Sequence, residues 1–206
     1  MKLLYSPGAC SLGIHVVLEE IGKPYEAQAV NFREREQYKP AFTEKNPKSK
    51  VPTLVRDDGS VLTEFPAIAF WLARTNPEKK LLPDDVEGQT RVLEAMEYAV
   101  ATIHMQGFTR VFRPERFAPS ESDHDAVKSQ GREIFEKGLS LLDKHMAGKE
   151  YAAGAFSIAD AALFYVEFWT SARLKMELPA NLKAHYQRML ARPAVQRVMK
   201  EEGLPA

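Results

Sequence analysis

Cys10 is the residue of this chain whose chemistry calls for a partner. It is the single cysteine among 206 residues and sits in Tyr5-Ser6-Pro7-Gly8-Ala9-Cys10-Ser11, between an apolar strand-like start and an apolar helix-like run. A lone thiol cannot close a disulfide within its own chain, so redox chemistry here needs a second thiol from another molecule. At the first turn of a helix, unpaired backbone N–H groups and the positive end of the helix dipole can lower a thiol pKa below its usual value of about 8.5. The plain alternative is a buried, inert cysteine acting as a small apolar side chain.

Thioredoxin-like oxidoreductases place a dithiol at this point of a βαβ unit, but the residue three after Cys10 is Gly13. Without a resolving cysteine, a monothiol route through an external thiol or a non-redox role remains. Two further segments point to peptide recognition. Val51-Pro52 comes just before a predicted hairpin, and with a cis bond the backbone groups of Val51 would turn outward towards an extended peptide; with a trans bond Pro52 is an ordinary strand start. Thr63-Glu64-Phe65-Pro66 opens a predicted helix whose amides and carboxylate could receive the charged ends of an amino acid, or Glu64 simply caps the helix. Tyr5 and Ser11 carry hydroxyls able to donate to a thiolate.

These residues need a scaffold. Leu3-Leu4-Tyr5 reads as a buried strand, Ser11 to Ile21 as a helix closed by Gly22, and Ala27 to Val30 as a second strand. Thr53 to Arg56 and Ser60 to Thr63 flank Asp57-Asp58-Gly59 as a hairpin, and a helix follows over Pro66 to Arg74. The order βαβ then ββα predicts a small mixed sheet with packed helices over 1–76. Residues 77–88 have the Pro and Asp content of a linker, and 89–206 reads as a helical bundle. Val92, Met96, Ala99 and Ile103 form one apolar stripe, with Ile134, Leu141 and Leu142 part of another. Ser157-Ile158-Ala159-Asp160 carries a capping-box pattern with Phe156 as a staple residue.

Bulk properties exclude several partners. Lys plus Arg and Asp plus Glu each number 28, so no net field draws the chain to nucleic acid or an anionic membrane. The longest apolar run, Ile158 to Trp169, is broken by Asp160 and Glu167 and is too short to span a bilayer. One cysteine and no export signal at the start predict a cytoplasmic location. No metal site is expected.

Ser6-Pro7-Gly8-Ala9-Cys10-Ser11, Asn46-Pro47-Lys48 leading into Val51-Pro52, Thr63-Glu64 and Ser157-Ile158-Ala159-Asp160 occur in the order seen in glutathione S-transferases. Over essentially its full length the chain resembles that family, most of all its bacterial beta class. The resemblance implies an α/β plus all-α architecture: a thioredoxin-like N-terminal domain that binds glutathione, a helical domain that shapes an electrophile pocket, and a homodimer. It implies that Cys10 and His104 are catalytic, with Ala9, Cys10, Phe32, Arg35, Val51, Pro52, Glu64, Phe65, Glu97 and His104 binding glutathione. The family often has a small residue where Phe65 stands, so only the backbone contact carries over there. Phe108, Phe112 and Trp169 would line the electrophile pocket. At helical spacing Glu97, Ala101, His104 and Phe108 share one face, although a histidine or tryptophan on an apolar helix also serves simple packing. His15 is assigned to packing.

The expected function is conjugation of the glutathione thiolate, as co-substrate, to small hydrophobic electrophiles. Two alternatives stand beside it. One is a glutathione-dependent thiol-disulfide oxidoreductase in which Cys10 forms a mixed disulfide; the other is a non-catalytic binding or regulatory protein on the same fold. Gln106 to Pro119 mixes Phe108, Phe112 and Phe117 with Arg110, Arg113 and Arg116, compatible with an aromatic or anionic electrophile or with a solvated helix end.

Overall fold

The computed structural model describes residues 1–205. The chain forms two compact units: Met1–Pro83 together with the stretch from Gln187 onward, and Asp84–Tyr186.

The first unit is built on strands β1 (Lys2–Tyr5), β2 (Glu26–Ala29), β3 (Thr53–Val55) and β4 (Val61–Thr63), with helices α1 (Ser11–Ile21), α2 (Pro40–Thr43) and α3 (Phe65–Arg74). The sheet order is β2-β1-β3-β4, with β1 parallel to β2 and the other pairs antiparallel. A parallel neighbour requires a crossover, and α1 supplies it. Strand β1 lies between two neighbours, and Leu3 and Leu4 are 0% and 2% exposed, which is why this strand reads as an unbroken apolar run. Helix α1 ends where Gly22 takes the left-handed conformation and its N–H donates to the Leu18 carbonyl at 3.0 Å. Strand β2 begins one residue earlier than the sequence predicts, and α3 begins at Phe65 rather than Pro66.

In the second unit, α4 (Val86–Glu97) runs into a π-helical stretch, Tyr98–Phe108, and then α5 (Thr109–Phe112). Next come α6 (His124–Met146), α7 (Ile158–Phe168) and a short π-helical turn, Trp169–Arg173. Helix α8 (Ala180–Leu190) follows, and α9 (Pro193–Glu201) closes the chain. The stretch from Gln187 onward, grouped by sequence with the helical half, brings α9 onto α1: Arg192 donates to Glu20 at 2.7 Å and Arg197 to Glu19 at 2.6 Å.

Val92, Met96, Ala99 and Ile103 are all fully buried, as their stripe predicts. The stripe predicted on α6 is corrected: Leu141 is 43% exposed, and the buried face carries Gly131, Phe135, Gly138, Leu139, Leu142 and Met146. The reason is steric. A Cβ on Gly131 would stand 2.6 Å from the Arg110 Cβ and 2.8 Å from the Gly107 carbonyl oxygen, and one on Gly138 would stand 2.5 Å from Ile103 Cγ1. The glycine edge of α6 therefore lets its backbone lie against the π-helical stretch, and that contact sets which face is inside.

All of α7 is buried, including the two acids that interrupt its apolar run. The capping box forms, with the Ser157 hydroxyl accepting from the Ala159 amide and Asp160 accepting from the Ser157 amide at 2.8 Å. Asp160 also accepts from the Ala152 amide at 2.7 Å and from His185 Nε2 at 3.1 Å, while Glu167 takes His185 Nδ1 at 2.8 Å. Burial alone would push the imidazole pKa of His185 down. The charge of Glu167, then the hydrogen bonds to Asp160 and Glu167, outweigh burial and raise it to about 10. Burial raises the Glu167 carboxyl above its usual range against the opposing pull of His185. Among the described residues, no helix is long and apolar enough to cross a membrane.

Two outcomes follow. In an open helix Gly→Ala is stabilising by up to ~1 kcal/mol, but G131A drives a methyl into backbone atoms that cannot retreat, an overpacking cost of ~1–3 kcal/mol. Denaturant unfolding will therefore show G131A less stable than the wild type. For the buried acid–imidazolium cluster, a raised His185 pKa gives stability that is fully present below the unfolded value of 6.5 and is lost as pH climbs through about 10. The raised Glu167 pKa acts in the same direction. Thermal unfolding midpoints will fall between those limits, and H185F, which leaves Asp160 and Glu167 without their cationic partner, will unfold at a lower temperature than the wild type.

Candidate active site

Local geometry at the start of α1 is set by a turn. Gly8 adopts φ 65°, the Ala9 amide donates to the Ser6 carbonyl at 2.9 Å, and Cys10 arrives at the N-cap position. The Ser11 hydroxyl is fully buried and spans this turn, accepting from the Ser6 amide at 3.2 Å and donating to the Ser6 carbonyl at 3.3 Å. Ser11 is thus committed to the loop. Tyr5 is buried with its ring 5.0 Å from that of His15. Of the three hydroxyl or thiol candidates, Cys10 is the partly exposed one.

The Cys10 thiol donates to the Val51 carbonyl, Sγ to oxygen 3.4 Å. Its pKa is pushed up to about 12, chiefly by burial, with Glu64 adding to the rise. The backbone N–H groups of Cys10 and Ser11 and the charge of Lys50 pull the other way, as a helix start should, but do not win. The expectation of a lowered pKa is therefore corrected: without ligand, Cys10 is a protonated hydrogen-bond donor at neutral pH.

The Val51-Pro52 bond is cis, and both residues are buried. Buried Asn46 holds the approach to this bond: its Nδ2 donates to the Lys50 carbonyl and to Thr53 Oγ1, both at 2.8 Å, and its Oδ1 accepts from the Lys48 amide at 3.1 Å. Ala9 packs against the cluster of Leu4, Val30, Phe42 and Val51 beneath the loop.

Glu64 stands at the N-cap of α3 with φ 70° and makes no capping hydrogen bond with its side chain. The simple capping alternative is thereby set aside. A non-glycine residue at this φ costs of order 1–3 kcal/mol, and such outliers concentrate where a ligand is met. The Glu64 carboxylate instead pairs with Lys48 Nζ at 2.8 Å, which also donates to Thr63 Oγ1 at 2.8 Å. Phe65 is buried, leaving its backbone at the first turn. Phe32 is 40% exposed, and Arg35, itself at φ 54°, lays its guanidinium 5.3 Å over the Tyr38 ring.

In the second unit, His104 Nδ1 lies 3.3 Å from the Tyr165 hydroxyl, and its ring meets Trp169 edge-on at 4.7 Å. Phe108 stacks on Trp169 at 4.2 Å and Phe112 on Phe108 at 5.1 Å, forming a ladder from buried Trp169 to Phe112, which is 55% exposed. Along the predicted row of Glu97, Ala101, His104 and Phe108, Glu97 and Ala101 are exposed, His104 is half-buried and Phe108 is buried, and from Tyr98 to Phe108 the chain winds as a π-helix.

Asn46, Lys48 and Tyr165 are structural members of these clusters that sequence reasoning did not single out as site residues. Asn46-Pro47 is a turn signal that could have drawn attention to the first two; Tyr165, inside an apolar helix, carries no such signal. Among the described residues, no group of three or more His, Cys, Asp and Glu is placed to hold a metal ion.

Comparison with known proteins is consistent along the chain. The family model for the glutathione S-transferase N-terminal domain matches residues 8–75, and that for the C-terminal domain matches 125–188. Glutathione S-transferase GstA of Escherichia coli O157:H7 is 37% identical, covering 99% of this chain and 100% of that protein. A sphingomonad glutathione S-transferase solved in complex with glutathione is 36% identical, with a TM-score of 0.84 over 100% of both chains. A bacterial beta class glutathione S-transferase of Sphingomonas chungbukensis is 33% identical, with a TM-score of 0.83, again over 100% of both. With a thioredoxin-like sheet, a helical second unit and relatives matched from end to end, this chain belongs to the glutathione S-transferase family.

Proposed function

We propose that this transferase binds glutathione along Cys10, Val51 and Glu64, stabilises its thiolate, and directs that thiolate at a small hydrophobic electrophile. The observation that carries the assignment of roles is the hydrogen bond from the Cys10 thiol, at the start of α1, to the Val51 carbonyl, and burial that pushes the thiol pKa up to about 12 supports it. A thiol that resists ionisation is a poor nucleophile but a sound donor. On releasing Val51 it would donate to the glutathione sulfur, and a bond from a neutral donor to a developed anion favours the ionised ligand. The same property weighs against the oxidoreductase alternative, in which Cys10 must itself attack or leave as thiolate.

The γ-glutamyl end would take the Phe65 amide and Glu64, whose left-handed backbone already commits it to an unusual orientation. Val51 and Pro52 would meet the cysteinyl unit, with Ala9 beside it, and Phe32 and Arg35 would lie at the glycyl end. His104 and Glu97 are assigned to glutathione from the helical unit, His104 to its sulfur. The Phe108, Phe112 and Trp169 ladder offers flat apolar faces suited to an aromatic electrophile. The similarity to a beta class enzyme supports membership of that class, and with it a homodimer acting in the cytoplasm in detoxification. The sphingomonad relative's complex with glutathione supports the co-substrate.

Steady-state conjugation of glutathione to an aryl halide tests the roles. Removing one hydrogen bond to a charged group costs ~1.5–3 kcal/mol, so C10A and H104A should each lower kcat about ten- to a hundredfold. A double variant with unchanged kcat and glutathione KM would remove both residues from the reaction.

A further inference from the structure

The loop that presents Cys10 is held from the far end of the chain. Glu202, at the C-cap of α9, is fully buried in its side chain, and one carboxylate oxygen accepts from the Gly8 amide at 2.8 Å. Its other oxygen takes Nδ1 of His15, also fully buried, at 2.9 Å. His15 stands on α1, and the exposed helix partner Glu201 brings a carboxylate oxygen to 3.5 Å from its Nε2. A single carboxylate thus joins the turn before Cys10, the helix after Cys10 and the last helix of the chain.

We propose that Glu202 is a positioning residue for the thiol loop. It fixes the Gly8 amide in the left-handed turn from which Ala9 and Cys10 proceed, and so fixes where the Cys10 sulfur lies and how far it is exposed. The significance for glutathione rests on the function proposed above; the mechanical claim about Cys10 does not. Ordinary anchoring of α9 does not account for the contact. Arg192–Glu20 and Arg197–Glu19 already pin α9 to α1, and neither touches the loop, whereas Glu202 spends one oxygen on a loop amide. Removing that acceptor takes from the Gly8 N–H its bond to a buried carboxylate, a loss that loosens the loop's hold on its position.

Cys10 is the one cysteine of the sequence, so alkylation by iodoacetamide, followed by intact mass, reports this loop alone. E202A should label about tenfold faster than wild type and raise the glutathione KM about tenfold, with kcat changing less, the size expected for the loss of one hydrogen bond to a charged group. E202Q retains an acceptor for Gly8 and should stay within about threefold of wild type in both readouts. R197A should lower the melting temperature while leaving labelling and KM unchanged. If E202A lowers the melting temperature but labels at the wild-type rate with wild-type KM, or if E202Q behaves as E202A, Glu202 does not position the loop through this bond. Should E202A fail to fold, amide exchange in the wild-type protein decides: Gly8 protected to the level of the α1 core supports the assignment, and an unprotected Gly8 overturns it. A wild-type protein that binds no glutathione would defeat the proposed function, while the labelling comparison would still judge Glu202.

Discussion

The contact between the Cys10 thiol and the Val51 carbonyl joins two stretches 41 residues apart and sets the chemistry of the first unit. It exists because β1 pairs with β2 on one side and β3 on the other, so the loop leaving β1 and the loop entering β3 emerge side by side. The position that brings the thiol to the carbonyl also removes it from water, and burial outweighs the helix-start amides that would otherwise ionise it. A sulfur held this way is suited to giving a hydrogen bond. That property separates conjugation, where an external thiolate needs stabilising, from disulfide exchange, where the protein's own sulfur must be charged.

The helical unit obeys a different constraint. Close approach of α6 to the π-helical stretch depends on glycines whose Cβ positions are occupied by their neighbours. Within the π-helical stretch Phe108 stacks on Trp169, while Ala101 faces solvent. The buried acids of α7 are tolerated because His185 is charged between them; an unpaired carboxylate at either place would carry a large desolvation cost.

Elements governed by local rules were legible in the sequence. Helix α1 with its Gly22 stop, the Asp-Gly hairpin and the capping box at Ser157 each follow from the conformational preferences of a few adjacent residues. Interactions between distant residues were not. Nothing near Glu202 announces that its carboxylate reaches Gly8 across 194 positions, and Asp160 and Glu167 read only as interruptions of an apolar run until His185 is placed between them. The π-helical winding from Tyr98 to Phe108 was not legible either, because a 3.6-residue repeat is itself an assumption about backbone winding. The thiol's ionisation went astray for a related reason: the helix start is visible in sequence, the burial that overrides it is not. Family resemblance supplied the roles proposed for His104 and Glu64, which single residues on a helix or at its start could not.

The central claim, that Cys10 serves as donor to a glutathione thiolate, is tested most directly by titrating the thiol of protein-bound glutathione through its ultraviolet thiolate absorbance, in wild type and in C10A. The account predicts a bound thiol that ionises at lower pH than free glutathione in the wild type and returns towards the free value in C10A. Titrations of bound glutathione that coincide in the two proteins would contradict it.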